Sequence, residues 1–223
     1  MDLEVRLDPI EARVFGVLIE KALTTPDQYP LTINAATNAA NQKSNRHPVL
    51  SLSESEVASA LARLEKKYLA RKVFPGNSRV EKYVHNGKDA LGLDMPQLAV
   101  IAELLMRGPQ TPGDIRARAG RMIAIESLDQ LATILAPLME RGFVQRLPPP
   151  PGSRAELYVQ LVSPDLHPLE QTAPLGSEQL AAVPRPAATN EIAARVAALE
   201  DEVERLREHV RALSDKVGRT TTP

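Results

Sequence analysis

The sequence predicts an α+β chain, mainly helical, with tandem winged-helix domains followed by a C-terminal coiled-coil helix. Three observations predict it. The order helix, helix, helix, hairpin occurs twice, over residues 1–93 and 94–161. The two hairpins share a motif, Pro75-Gly76-Asn77-Ser78-Arg79-Val80-Glu81-Lys82-Tyr83 against Pro151-Gly152-Ser153-Arg154-Ala155-Glu156-Leu157-Tyr158, one turn residue shorter. Beyond residue 191 the apolar residues fall into heptads.

In the first half, Asp8-Pro9-Ile10-Glu11 is a helix start, with Asp at the N-cap, Pro at N1 and Glu at N3. Ile10, Val14, Val17 and Leu18 recur on one face and carry the helix to about Ala22. Residues 24–30, with two prolines, break it. Residues 31–40 then place Ile33, Ala36 and Ala40 on one side, small enough for close packing. Ser53 caps a third helix with Glu56 as its N3 partner, and Val57, Leu61 and Leu64 form its buried stripe. Residues 69–73 and 80–84 alternate like strands around a turn at Phe74-Pro75-Gly76-Asn77-Ser78.

The second half repeats the plan. Pro96 opens a helix lined by Leu98, Ile101 and Leu105 that ends near Gly108. Thr111-Pro112-Gly113-Asp114 starts a short helix reaching Arg118. Residues 127–141 form the third, with Leu128, Leu131, Leu135 and Leu138 expected inward and Gly142 as the stop. Residues 143–147 and 155–161 supply the hairpin strands. In both hairpins Arg, Glu and Tyr share one strand face. An Arg–Glu pair and a satisfied Tyr fixing the hairpin to the helices are the simpler use; a ligand-facing Arg79 is the alternative.

Residues 162–190, rich in Pro, Ala and Ser without a period, read as a flexible linker. In the helix at 191–217, Val196, Val203, Val210 and Val217 occupy a positions, and Ile192, Leu199, Leu206 and Leu213 occupy d. β-Branched a with Leu d favours a parallel homodimer, and Arg195 facing Glu200 and Glu202 facing Arg207 of the second copy agree with it. The dimer seam is therefore assigned to Val196, Leu199, Val203, Leu206, Val210 and Leu213.

Composition narrows the function. The 223 residues suffice for two small domains and an appendage, and without cysteine neither disulfides nor thiolate metal sites are available. The charged N-terminus does not resemble a signal peptide, no apolar run approaches a membrane span, and a cytoplasmic location is expected. With 27 basic and 28 acidic side chains the chain lacks the global charge of a nucleic-acid binder, so any basic patch must be local. His47, His85, His167 and His209 are scattered, and neither a Gly-rich phosphate loop nor a nucleophile motif is present. No enzyme activity, cofactor, metal or membrane contact is expected.

The candidate contact surface is the polar, basic run at 41–57 and the helix it opens. Lys43, Ser44, Asn45 and Arg46 suit phosphates, with Asn41 and Gln42 as further donors. Ser55, Ser59 and Arg63 on the next helix suit a groove, and Arg79 or Lys82 the wing, where Lys66, Lys67, Arg71 and Lys72 also cluster. Glu54 and Glu56 oppose this, because a DNA backbone repels them. Asn and Ser in such a connection also satisfy loop backbone groups. Two functions are therefore carried forward. The first is a regulator or architectural factor binding double-stranded DNA through the first domain. The alternative is an adaptor that binds a protein partner through winged-helix faces and the coiled coil.

Several blocks carry a resemblance. Leu23-Thr24-Thr25-Pro26-Asp27-Gln28-Tyr29-Pro30-Leu31, Asn41-Gln42-Lys43-Ser44-Asn45-Arg46-His47-Pro48-Val49, Leu52-Ser53-Glu54 and Arg107-Gly108-Pro109-Gln110-Thr111-Pro112-Gly113-Asp114, with the terminal heptads, resemble the YceH-like family of conserved bacterial proteins. The resemblance implies tandem winged-helix domains in a cytoplasmic protein and assigns no biochemical role. Members often carry Cys where this chain has Ala40, so a redox or metal role at that position is excluded here. They also tend to carry aromatics where this chain has Ile123-Ala124-Ile125, which removes a shared aromatic site.

Overall fold

The computed structural model describes residues 5–76, 80–149, 152 and 154–168, all within one compact unit. The coiled-coil assignment, most of the expected linker and the hairpin residue Arg79 lie outside the described residues. The fold is mainly helical with two small β-hairpins. Its elements are α1 (Pro9–Thr24), α2 (Ile33–Ala40), α3 (Glu54–Lys66), β1 (Ala70–Val73), β2 (Lys82–His85), α4 (Gly87–Leu91), α5 (Met95–Arg107), α6 (Pro112–Ala119), α7 (Leu128–Glu140), β3 (Val144–Leu147) and β4 (Leu157–Gln160).

Helix starts follow their caps. Asp8 and Asp94 form capping boxes with Glu11 and Gln97, and Ser53 does the same with Glu56. Thr32, Thr111 and Ser127 cap α2, α6 and α7 by accepting the backbone N–H three residues on. The antiparallel hairpins match in detail. Lys72 stands opposite Tyr83, and Arg146 opposite Tyr158. Each basic residue also pairs with the carboxylate two residues before that Tyr, Lys72 with Glu81 at 3.0 Å and Arg146 with Glu156 at 3.4 Å. Each Tyr backbone exchanges two hydrogen bonds with the residue just before the second helix's cap, Tyr83 with Leu31 and Tyr158 with Gln110. Each half therefore holds a third, one-residue strand.

One core runs through both halves. Residues 11–20 of α1 and 98–106 of α5 are buried on every side, which for a helix requires partners all round. The two helices meet where Gly16 lies against α5; a Cβ there would stand 3.3 Å from Met106 Cγ and 3.6 Å from the Ala102 carbonyl oxygen. Gly16 and Ala102 each lie eight residues after their helix's Asp cap, so the crossing joins equivalent points of the two halves. Phe15, Leu18, Leu61, Leu64, Leu98, Ile101, Leu104 and Leu105 fill the space around it. Burying each such side chain contributes about 1.5–3 kcal/mol.

Two local features differ from expectation. Leu128, expected inward, is 52% exposed. It occupies the first turn of α7, where Ser127 fixes the helix start, and only Leu131, Leu135 and Leu138 reach the core. α4 has no apolar period to reveal it; its Gly87 is held where a Cβ would stand 2.8 Å from Leu98 Cδ2.

Candidate functional site

The connection from α2 to α3 spans 13 residues, whereas the matching one between α6 and α7 spans 8. The longer connection is a strap closed at its base by Asn41. The Asn41 side-chain amide donates to the Leu52 carbonyl at 2.7 Å and its Oδ1 accepts the Leu52 N–H at 2.8 Å, as an Asn in a loop can do for backbone. Between these points the chain reaches the second half. The His47 N–H donates to the Met106 carbonyl at 2.7 Å, and Arg107 Nη2 donates to Asn45 Oδ1 at 2.6 Å. Asn45 adopts φ +62°, a left-handed conformation that Asn tolerates well.

Arg46 departs from its expected role at a phosphate. Its residue is 5% exposed, and its guanidinium grips the Glu20 carboxylate through Nη1 at 3.3 Å and Nη2 at 2.5 Å. Nε donates to the Ala39 carbonyl and Nη1 to that of Asn45. Removing one member of so buried a pair costs about 3–5 kcal/mol, because the other charge is left uncompensated. Arg46 is therefore an internal fastener.

Arg13 is a second one. It sits mid-helix in α1 and donates to the Ala40, His47 and Pro48 carbonyls at 3.4, 3.1 and 2.8 Å. Burial, then the nearby Arg46 charge, lowers it to about 10, against the opposing pull of Glu20. Neither Arg13 nor Glu20 was marked by a motif; the available signal was a charge of each sign flanking the apolar run 14–19 of α1.

Other expected contacts separate into two sets. Arg63 is occupied by Asp8 at 2.8 Å and Glu11 at 3.2 Å, and Lys67 by Glu11 at 2.6 Å. Ser55 and Ser59 lie exposed on α3 as expected, but the first turn beside them carries exposed Glu54 and Glu56. Glu54 accepts from Asn34, and hydrogen bonds from Ser53 hold the Glu56 carboxyl below its ordinary range. Gln42, Lys43 and Ser44 remain accessible and line a cleft at the seam of the halves.

The hairpin of the first half carries basic side chains on its outward face. Arg71 and Val73 on β1 share a face with Val84 and Lys82 on β2, opposite to the Tyr83 face that meets the core. Lys66, Arg71 and Lys82 have no ion pair among the described residues. Tyr68, in the turn from α3 to β1, is 77% exposed and adopts φ +57°. It holds the left-handed position that closes α3: its N–H bonds to the Glu65 carbonyl, and the Leu69 N–H to that of Leu64. The same bonds close α7, where the left-handed residue is Gly142. A bulky residue in this conformation is unusual.

A family model described as "Protein of unknown function, DUF480" matches residues 7–153, a span that includes the strap and the first hairpin and ends before β4. The chain belongs to this family. Several UPF0502 proteins are similar over nearly their whole length: that of Hahella chejuensis is 44% identical over 214 residues, covering 93% of this chain and 96% of the relative. The Aeromonas hydrophila protein is 41% identical over 223 residues, covering 97% and 98%. The Vibrio vulnificus protein is 42% identical over 223 residues, covering 97% and 99%. The DUF480 match accords with the YceH-like blocks of the sequence. Among the described residues of this family member, no helix is long and apolar enough to cross a membrane, and no His, Asp and Glu group is placed to hold a metal ion.

Proposed function

We propose that this chain is a tandem winged-helix protein that binds duplex DNA through the first half, gripping the backbone with the hairpin rather than reading bases with the strap. The observation that carries the reading is the outward hairpin face. Among the described residues Arg71 and Lys82 on that face, and exposed Lys66 at the end of α3, lie without carboxylate partners, while the neighbouring Lys67 and Lys72 are neutralised. The third one-residue strand supports the winged-helix assignment, since it joins the hairpin to the start of the second helix in each half. Ser55 and Ser59 then face the groove side. The heptads at 191–217 would pair two copies in parallel and raise the effective affinity.

Duplex binding should fall with salt, with a log–log slope about 0.9 steeper for each phosphate engaged. Replacing Lys66, Arg71 and Lys82 together by Ala should flatten that slope by about 3 and weaken binding to any sequence alike. Lys43→Ala should leave it unchanged. A triple variant with the wild-type slope, or a folded protein that binds no duplex at low salt, refutes this reading.

One observation favours the adaptor reading instead. α7, the counterpart of α3, presents Leu128, Ala132, Ala136 and Met139 to solvent on successive turns, a surface suited to another protein.

A further inference from the structure

The cleft at the seam of the two halves is lined from three elements. The end of α1 contributes Glu20, Lys21, Thr24 and Thr25, the strap contributes residues 42–45, and the turn after α6 contributes Arg121 and Met122. Its volume of about 620 Å³ lies within the range of small-molecule sites.

The charge balance of the lining is one-sided. Lys21, Lys43 and Arg121 bring three cations from three separate elements. The one carboxylate in the lining, Glu20, is already held by Arg46, and Lys21 stands 4.0 Å from it. Lys43 is exposed and has no ion pair among the described residues. Among the described residues Arg121 hydrogen-bonds only through Nε, to the Arg118 carbonyl at 3.2 Å; its charge also acts on buried Glu103, while its side chain lines the cleft. The end of a helix ordinarily repels anions through its free carbonyls. Here Thr24 Oγ1 donates to the Glu20 carbonyl at 2.8 Å and Thr25 Oγ1 to that of Lys21 at 3.3 Å, which blunts that repulsion. Ser44 and Gln42 add uncharged donors.

We propose that this cleft binds a small phosphorylated molecule, its phosphate or pyrophosphate held between Lys43 of the strap and Arg121 of the second half, with Lys21 completing the charge. Three point charges around a space of this size match a multiply charged group better than a single carboxylate. Occupancy would bridge the two halves at the point where Arg107 already joins Asn45.

Calorimetric titration of the full chain with pyrophosphate and with AMP, at fixed ionic strength and with sulfate as comparison, tests the assignment. Saturable binding with Kd below about 1 mM is expected, weakened about tenfold or more by Lys43→Ala and by Arg121→Ala, and retained when Lys66, Arg71 and Lys82 are changed. Both single variants alter exposed side chains, and an unchanged melting temperature will confirm that they fold. Absence of saturable binding, equal binding of sulfate, or indifference to both variants overturns the proposal. So does displacement of pyrophosphate by duplex DNA whose own affinity falls in Arg121→Ala, which would assign the phosphate to nucleic acid.

Discussion

The carbonyl oxygen of His47 is shared by two donors from distant parts of the chain, Arg13 Nη2 at 3.1 Å and His167 Nε2 at 2.7 Å. His167 is buried, stacks on the His47 ring at 6.2 Å between centroids, and presents Nδ1 to the Gln160 amide at 3.4 Å. This arrangement suits a neutral imidazole with its proton on Nε2. Burial lowers His167 to about 4, against the raising effect of the His47 carbonyl. In the unfolded chain it titrates near 6.5. Between these values the unfolded state binds the extra proton, so stability is full above about pH 6.5 and declines as pH falls toward about 4. Between pH 7 and 5 this residue should cost about 2 kcal/mol. Glu103, raised above its usual range by burial, acts in the opposite sense. The comparison is therefore between urea unfolding of the wild type and of His167→Gln at both pH values. Equal pH slopes for the two proteins would contradict the buried neutral imidazole.

At the scale of elements, the ends of α3 and α7 form a matched pair with unmatched residues. Tyr68 occupies a left-handed position that Gly142 fills in the other half. An L-residue with a side chain gives up about 1–2 kcal/mol there. Tyr68→Gly should recover about 1 kcal/mol of that in denaturant unfolding, reduced by the flexibility glycine adds to the unfolded chain. If Tyr68 serves the outward hairpin face, the same substitution lowers duplex affinity while raising stability, a combination that loss of packing cannot produce. These elements also mark what a sequence reveals. Caps at Asp8, Ser53 and Thr111 were legible because the interaction spans only three residues. The stripe of α3 was legible because periodicity is local. The fate of Arg46 was not, since its partner Glu20 lies 26 residues away and nothing near Arg46 announces it. The exposure of Leu128 was hidden for a related reason: a helix stripe reveals a face, but tertiary contacts decide how far along the helix that face is covered.

At the scale of the molecule, the packing of α1 against α5 decides whether a half can stand alone. α1 is buried on all sides over residues 11–20, and part of that cover is Leu105 and Met106 of the second half. A fragment of residues 1–93 leaves this side of α1 in water, together with the carbonyl of His47 that His167 holds. It should lose cooperative thermal unfolding or aggregate, while residues 1–168 unfold in one sharp transition. Circular dichroism melts of the two fragments will distinguish them; a sharp transition in 1–93 would show that the first half is self-sufficient.

The repeated plan also gives the molecule an internal control, a second set of matched elements in the same chain. Where the copies agree, as in Lys72 with Glu81 and Arg146 with Glu156, the scaffold accounts for the residue. Where matched places diverge, the scaffold has accepted more than one answer. Tyr68 stands for Gly142, Glu54 for Leu128, and a strap of 13 residues for a turn of 8. A search for binding partners can start from those divergences, because each compares two side chains in one setting within a single polypeptide.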